Sequence, residues 1–396
     1  MQRLLVVAAL AVLSWITYLD RAAISSVKDP IAAELQLTDR EFGAVFSAFA
    51  LGYALGQIPT GWAADRLGPR LLLAGVVTLW SLLTGLTGFA SSLLSLLIVR
   101  FLFGLAEAGA YPGTARAFYS WLPSSEHGRA NGVVFAASRL GAAVAFPLMA
   151  WLLSHYSWRI TFYLLALPGL VWGLLWYLLF RDRAAPPSAS QAPALTLRQA
   201  LRTNAYRLAL FQYFVTNFTT FLCLSWMNPY LKQRYSLTTE QAAAYTMIPL
   251  LVGATAQWFA GTAVDRLYVS RHRAWSRALP AIAGFVISAI GAASIPFAAT
   301  PTSAALCFAL ATFGAEITIS PSWAFCIDLG GSNSGSVSGA MNTCGNFGSF
   351  VSANAFPWIQ SAFGTAGPYF ALLCAMNLAS ALAWTRMRSP RAPNSG

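Results

Sequence analysis

Gly61-Trp-Ala-Ala-Asp65-Arg66-Leu-Gly68-Pro-Arg70 is followed 200 residues later by Gly261-Thr-Ala-Val-Asp265-Arg266-Leu. The shared Gly-x-x-x-Asp-Arg-Leu follows a long apolar run both times, so the chain reads as a duplication. Periodic apolar segments of about 20 residues run outward from both copies, each able to cross a hydrocarbon core of about 30 Å. Twelve spans are expected, at 3–27, 40–62, 70–90, 94–119, 128–153, 160–180, 205–231, 239–263, 276–298, 302–327, 335–361 and 367–386. Of 396 residues, 57% are hydrophobic and only 10% charged, which excludes a soluble domain of this length. The expected fold is an all-α membrane protein, with twelve transmembrane helices in two pseudo-symmetric six-helix bundles. Two repeats about a central linker are the architecture of a rocker-type transporter.

Residues 1–180 are read as the first bundle, 181–203 as a linker, and 204–396 as the second bundle with a short basic tail. The linker is rich in Pro, Ser and Ala. Its second half, Thr196 to Arg202, is expected as a short amphipathic helix on the membrane surface. The first span resembles a signal peptide, but it is long and lacks a small-x-small cleavage pattern, so it is read as uncleaved.

The net charge of +12 suggests nucleic acid until the charges are placed. Seventeen Lys and Arg residues fall at the two ends and in the loops after even-numbered spans, against five on the other side. Short basic loops mark the inner side of a membrane, so both termini are expected in the cytoplasm. Arg21, Arg100 and Arg139 remain, inside spans. The five cysteines, at 223, 307, 326, 344 and 374, fall in expected helices without CxxC or clustered His. They are read as buried, reduced packing residues, and no metal or cofactor is expected.

The embedded charges carry the functional reading. In Arg100-Phe-Leu-Phe-Gly104-Leu-Ala-Glu107 the two charges are about two helical turns apart on one face, with Gly104 between them. A charge in a bilayer costs on the order of 3 kcal/mol. The expectation is therefore a wet cavity lined by this face, rather than only a structural ion pair. Tyr18, Asp20 and Arg21 lie in the second half of the first span. Arg21 is positive at any relevant pH, whereas burial disfavours the ionised forms of Asp20 and Glu107, so these two can trade protons. Facing spans offer Tyr53 and Gln57, flanked by Gly52 and Gly56, and then Ser138 and Arg139, Arg139 being a second possible anion ligand. Asn217, Trp226 and Asn228 follow, then Glu316, Ser320, Ser322 and Trp323, then Ser338, Asn342 and Asn346. Most single Asn or Ser residues in such spans are interhelical glue. Glu316 is costlier to dismiss: it is either protonated or paired with Arg139 or Arg21. Asp328 is expected to be a charge at a helix end or gate.

Asp65-Arg66 with Arg70, and Asp265-Arg266, suit a lock. The carboxylate caps a neighbouring helix N-terminus and pairs with a guanidinium across the cytoplasmic gap. Gly61 belongs to the same motif. The full Gly-x-x-x-Asp-Arg-x-Gly-x-Arg resembles the signature loop of the major facilitator superfamily. Tyr18-Leu-Asp20-Arg21, Phe46 to Gly61, Arg100 to Glu107, Ser320-Pro-Ser-Trp323 and Ser338 to Gly348 together resemble its anion:cation symporter family. That family includes bacterial hexonate and hexuronate permeases and animal vesicular glutamate and lysosomal sialic acid transporters. The resemblance covers nearly the whole chain. It implies proton-driven uptake of organic anions, with Asp20 and Glu107 as protonation sites and Arg100 modulating Asp20. It implies Arg21 as the ligand of the substrate carboxylate and Tyr18, Tyr53, Ser320, Trp323 and Asn342 as substrate contacts. Two departures stand out: Ser138 replaces a Gln of the sugar-acid permeases, and Glu316 is an additional acid. An extra Arg, Arg139, suits a more anionic ligand such as a dicarboxylate.

The expected function is a secondary transporter importing an organic anion, a sugar acid or related carboxylate, by proton symport with alternating access across a bacterial inner membrane. A functional monomer is expected. An anion exchanger is the rival in the same class, as is a multidrug antiporter, although the fifth span lacks a full Gly-Pro-x-x-Gly-Gly run. A transporter-like sensor is the rival of another class. No Walker A, His-Glu-x-x-His, Ser/His or paired-Asp pattern suggests an ATPase or an intramembrane enzyme.

Overall fold

The computed structural model describes residues 2–183 and 194–387. Residues 184–193 of the expected linker lie outside the described residues, as do Arg388 and Arg391 of the expected basic tail. Two compact units are formed, one from Met1–Leu122, Val134–Ala189 and Gly330–Ala340, the other from Pro123–Val133, Ser190–Leu329 and Met341–Gly396.

The first unit opens with α1 (Gln2–Ser26), the short α2 (Lys28–Leu35) and the long α3 (Asp39–Thr87). α4 (Leu93–Glu107), α5 (Ala110–Trp121), most of α6 (His127–His155) and α7 (Trp158–Leu179) complete it. A capping box starts α3: Glu41 N–H donates to Thr38 Oγ1 at 3.3 Å, and Thr38 N–H to Glu41 Oε2 at 2.8 Å. The spans expected at 40–62 and 70–90 both lie in α3, which bends at Gly68, where φ is +77°. Pro69 follows and starts the next helical stretch. The expected single span 94–119 is instead broken into α4 and α5. Pro112 has no N–H to give the carbonyl of Ala108, so the break falls one turn before it. Leu19, Ile24, Phe42, Leu96, Met149 and Phe162 form the apolar core of this unit.

In the second unit the expected surface helix is present as α8 (Leu197–Arg202), followed by α9 (Asn204–Ser225), α10 (Met227–Tyr235) and α11 (Thr239–Tyr268). Then come α12 (Ala278–Ser294), α13 (Pro301–Ile317), α14 (Ile319–Gly330), α15 (Ser334–Phe363), whose first turns belong to the first unit, and α16 (Gly367–Thr385). The span expected at 205–231 bends by 46° between α9 and α10. The span expected at 302–327 breaks at Thr318, between α13 and α14, because Pro321 has no N–H to give the carbonyl of Ile317. Phe218, Tyr230, Phe308, Phe356, Tyr369 and Phe370 form an aromatic core.

Among the described residues, nine helical runs are long and apolar enough to cross a membrane, and the bent pair α9–α10 adds a tenth. Two of the runs, Glu41–Thr87 and Pro301–Phe363, are 47 and 63 residues long, and each holds two spans joined at a left-handed glycine, Gly68 or Gly331. Counted in this way, the described residues hold the expected twelve. Exposed Leu79, Leu82, Leu86, Leu174 and Leu178 face outward, as a lipid-facing surface requires. Of the cysteines, Cys223 and Cys326 are buried, but Cys307, Cys344 and Cys374 are only partly so, since their helix faces are not fully covered.

Candidate functional site: embedded charges and two helix-capping aspartates

The break between α4 and α5 leaves Glu107 as the last residue of α4, fully buried. Arg21, from the late turns of α1, reaches it: Arg21 Nε donates to Glu107 Oε1 at 2.9 Å. The guanidinium is held flat among aromatic rings, 4.3 Å from the centroid of Tyr53, 5.1 Å from that of Tyr18 and 5.4 Å from that of Phe49. Such contacts hold a cation without neutralising it. Arg139 lies 5.8 Å from the same Tyr18 ring. Tyr18, Asp20, Arg21, Tyr53, Arg100, Glu107 and Arg139 are thus brought together within the first unit.

Asp20 is 2% exposed, and neither carboxylate oxygen has a hydrogen-bond partner. The Trp80 indole lies beside it, and its N–H has no hydrogen-bond partner. Arg100 faces Phe103 and Phe49 at 4.5 and 5.1 Å and acts on both Glu107 and Asp20 through space. Glu107 Oε2, Arg21 Nη2 and both amide atoms of Gln57 also lack hydrogen-bond partners. A buried polar atom without a partner costs about 1–3 kcal/mol, so this cluster carries a concentrated, unmet demand for hydrogen-bond partners.

One expectation fails here. Gly104 does not leave open space between Arg100 and Glu107, because a Cβ there would strike the backbone oxygen of Phe49. A Cβ on Gly52 would in turn strike that of Phe101. These glycines let the backbones of α3 and α4 touch, so they serve close packing rather than a cavity wall.

Other expected site residues keep to themselves. Ser138 gives its hydroxyl to Phe135 O at 2.6 Å. The Trp323 indole donates to Tyr213 Oη at 2.8 Å and is 2% exposed, so its polar edge is already used. Asn346 donates to Asn342 O within α15, Asn217 to Tyr213 O within α9, and Trp226 to Ala353 O. Asn342 is 8% exposed. In the second unit, Ser320 donates to Gln257 Oε1 at 3.3 Å, and Gln257 Nε2 donates to Glu316 Oε2 at 2.7 Å. Gln257 was not expected. It stands 200 residues after Gln57, as Asp265 stands after Asp65, so the repeat itself held the clue.

Both repeat aspartates cap helices. Asp65 accepts from the N–H groups of Gly335 and Ser336, each at 2.8 Å, and from Ser336 Oγ at 2.6 Å, at the start of α15. Asp265 accepts from the N–H groups of Gly128 and Arg129 at 2.9 and 2.8 Å, at the start of α6. Gly61 and Gly261 make room: a Cβ on either would lie 2.5 Å from the carbonyl oxygen of Gly335 or Gly128. The arginines of the motif do not complete the expected ion pairs. Arg66 lies over the Trp62 ring at 4.4 Å, and Arg266 is exposed. Residues adjacent in a helix point about 100° apart, so when the aspartate faces inward the next residue faces out. Arg70 donates from Nε to Tyr177 O at 2.9 Å, tying the loop to α7.

Asp265 is instead approached by Arg129 Nε and Arg277 Nη1, each at 3.9 Å. Arg277 and Asp328, both buried, pair at 3.0 Å, and His127 Nδ1 is 3.2 Å from Asp328. Asp328, expected as a charge at a helix end or gate, is the centre of a buried network. His127 and Arg277 were not singled out in the sequence, since nothing in the spacing links residues so far apart.

Twelve apolar spans in the described residues, with buried charges at broken helices and a repeated capping motif, make a multi-pass membrane protein, and its relatives are transporters rather than enzymes. The chain belongs to the Major Facilitator Superfamily, whose family model matches residues 10–353. It is 31% identical over 382 residues to the probable sulfoacetate transporter of Cupriavidus necator, covering 92% of this chain and 88% of that protein. It is 28% identical to the hexuronate transporter of Bacillus subtilis, covering 95% and 92%. Among solved structures, the Escherichia coli fucose:proton symporter superposes with a TM-score of 0.77 at 18% identity, covering 99% of this chain and 100% of that one.

Proposed function

We propose that the chain imports a small organic anion together with protons, as a monomer in a bacterial inner membrane with both termini in the cytoplasm. The observation that carries this is the 2.9 Å contact between Arg21 and Glu107, beside the unpartnered carboxylate of Asp20. When Glu107 takes a proton, its hold on Arg21 weakens and the guanidinium is free for the anionic group of the substrate. When the proton leaves, the pair re-forms and the anion is displaced. Asp20 takes the second proton, with Arg100 setting how readily it does so. Each charge moved across a membrane at 100 mV costs about 2.3 kcal/mol, so anion entry at an inside-negative potential requires co-transported protons.

One relative is named a probable sulfoacetate transporter and another a hexuronate transporter, which supports a sulfonate or a sugar acid as the substrate class. Two guanidinium groups around the Tyr18 ring, from Arg21 and Arg139, favour a doubly anionic member of that class. The capping contacts of Asp65 and Asp265 hold one alternating-access state, and their release accompanies its opening.

The test is uptake of radiolabelled sulfoacetate, glucuronate and galactarate into proteoliposomes under an inward proton gradient. One of these should accumulate, and accumulation should collapse with an uncoupler and fail in Asp20→Asn and in Glu107→Gln. Gradient-driven accumulation in both variants would refute the coupling.

A further inference from the structure

We propose that Trp80 is a positioning residue for the proton site of the first unit: its indole N–H is the donor that Asp20 takes when ionised and lets go when protonated. The proposal rests on the reading above in taking Asp20 as a proton carrier.

Trp80, in the second half of α3, is among the largest fully buried side chains. A buried indole ordinarily finds a partner for its N–H. The other buried tryptophans among the described residues do so. Trp121, Trp158, Trp172, Trp176, Trp323 and Trp384 donate to oxygens of Arg181, Glu34, Ala9, Pro69, Tyr213 and Gln212 respectively. The Trp80 N–H has no partner. An apolar ring would fill the same space without an unmet donor, so this N–H calls for an acceptor in another protonation state of the site. α7 brings none from the facing position, which is Gly169. A Cβ there would lie 3.8 Å from Trp80 Nε1 and would strike Ser81 Oγ, itself without a partner. Beside the indole is the Asp20 carboxyl, with both oxygens unpartnered and the residue 2% exposed. Donor and acceptor stand together in one sealed place, each lacking what the other supplies.

The chemistry of the donor suits a site that must exchange protons. An ionised carboxylate in a dry site needs hydrogen-bond donors, whereas a protonated carboxyl is neutral and needs them far less. The indole N–H can only donate and carries no charge. It favours the ionised form by one hydrogen bond, and the proton can return. The two acids of the first unit are thus served differently. Glu107 is held by Arg21, a cation that an incoming anion can claim. Asp20 is served by Trp80, which is 0% exposed and so out of reach of any transported anion. The proton affinity of Asp20 is then set inside the bundle, apart from the event at Arg21.

The charges that act on Asp20 are those of Glu107 and Arg100, both on α4. Arg21, the next residue of α1, points about 100° away and reaches Glu107. On α3, Tyr53 lies under Arg21; on α5, Tyr111 meets Ser14; on α6, Arg139 lies by the Tyr18 ring. On α7, Arg159 holds Glu34, Tyr163 donates to Gly88 O, and Tyr177 lies under Arg70. α2 begins at Lys28, about two turns beyond Asp20.

The experiment uses the full chain in lipid vesicles, with isotope-labelled indole nitrogens, and needs no substrate. Two replacements remove the donor: Trp80→Phe, and Trp80→benzothienylalanine, which keeps the bicyclic shape with sulfur in place of N–H. Trp172→Phe is the control, since that indole donates to Ala9 O at 2.9 Å. In pH-difference infrared spectra, the carboxyl C=O band that Asp20→Asn removes should grow in at a higher pH in both Trp80 variants. The shift should be about one to two pH units, the worth of one hydrogen bond to a charged group. Trp172→Phe should leave the transition at its wild-type pH. The magnetic-resonance signal of the labelled indole that Trp80→Phe removes should move across the same pH range in wild type and stay fixed in Asp20→Asn. A transition unmoved in the benzothienylalanine variant would overturn the proposal and leave Asp20 as a proton carrier. If Asp20→Asn removes no band, the carrier reading fails instead, and the Trp80 signal decides the bond. A signal that differs between wild type and Asp20→Asn then upholds the bond, and an identical one overturns it.

Discussion

Asp65→Asn tests the capping contact most directly. The carboxylate uses Oδ1 for the Gly335 N–H and Oδ2 for the Ser336 N–H and hydroxyl. An Asn amide has one oxygen, so whichever way it turns, its NH2 faces a backbone N–H. At least one hydrogen bond to a charged acceptor is lost, worth about 1.5–3 kcal/mol. The loss of negative charge at the α15 N-terminus adds about 0.3–1 kcal/mol. Together these give about 2–4 kcal/mol, or roughly 30- to 1,000-fold in the equilibrium between the capped and released states. The assay is hydrogen–deuterium exchange by mass spectrometry, read at the amides of Gly335 and Ser336. Exchange there should accelerate by about 30-fold or more, because an amide opens with the population of the released state. In Asp265→Asn, the acceleration should fall at Gly128 and Arg129. Exchange at 335–336 equal to wild type in Asp65→Asn would refute the reasoning.

Gly52→Val should lower the thermal midpoint of the purified protein by an overpacking cost of about 1–3 kcal/mol, because its Cβ would meet the α4 backbone. Gly43→Ala, in α3 with nothing within 4 Å, should instead raise the midpoint slightly, by the worth of about 0.5–1 kcal/mol. Asp328→Ala leaves the buried Arg277 only the Ser124 carbonyl and the 3.9 Å approach of Asp265, and should cost about 3 kcal/mol, seen as a drop in thermal stability. Hydrogen bonds from Arg159 and then Trp158 hold the Glu34 carboxyl below its ordinary pKa. A depressed folded value means the contribution is present above the ordinary value of about 4.3 and lost as pH falls through the folded one. A small stability difference between wild type and Glu34→Gln should therefore exist at neutral pH and fade on acidification below about pH 4.

The sequence by itself determined the spans, the duplication and the charges that cannot be lipid-facing. Hydrophobic length and repeat spacing are local properties, so Asp65 and Asp265 were legible as helix caps before any partner was known. Arg21 and Glu107 were legible as a pair of roles because an embedded charge is costly wherever the helix packs. What tertiary structure alone decided is which groups meet. Arg66 faces Trp62 while Arg277, distant in sequence, approaches Asp265. Gly104 turned out to be a point of backbone contact, and Trp323 was taken by Tyr213. Helical periodicity fixes the face on which a side chain lies, but not the neighbouring helix that face will meet. That depends on how glycines such as Gly52 and Gly253 let helices approach, and on where Pro112 and Pro321 break them.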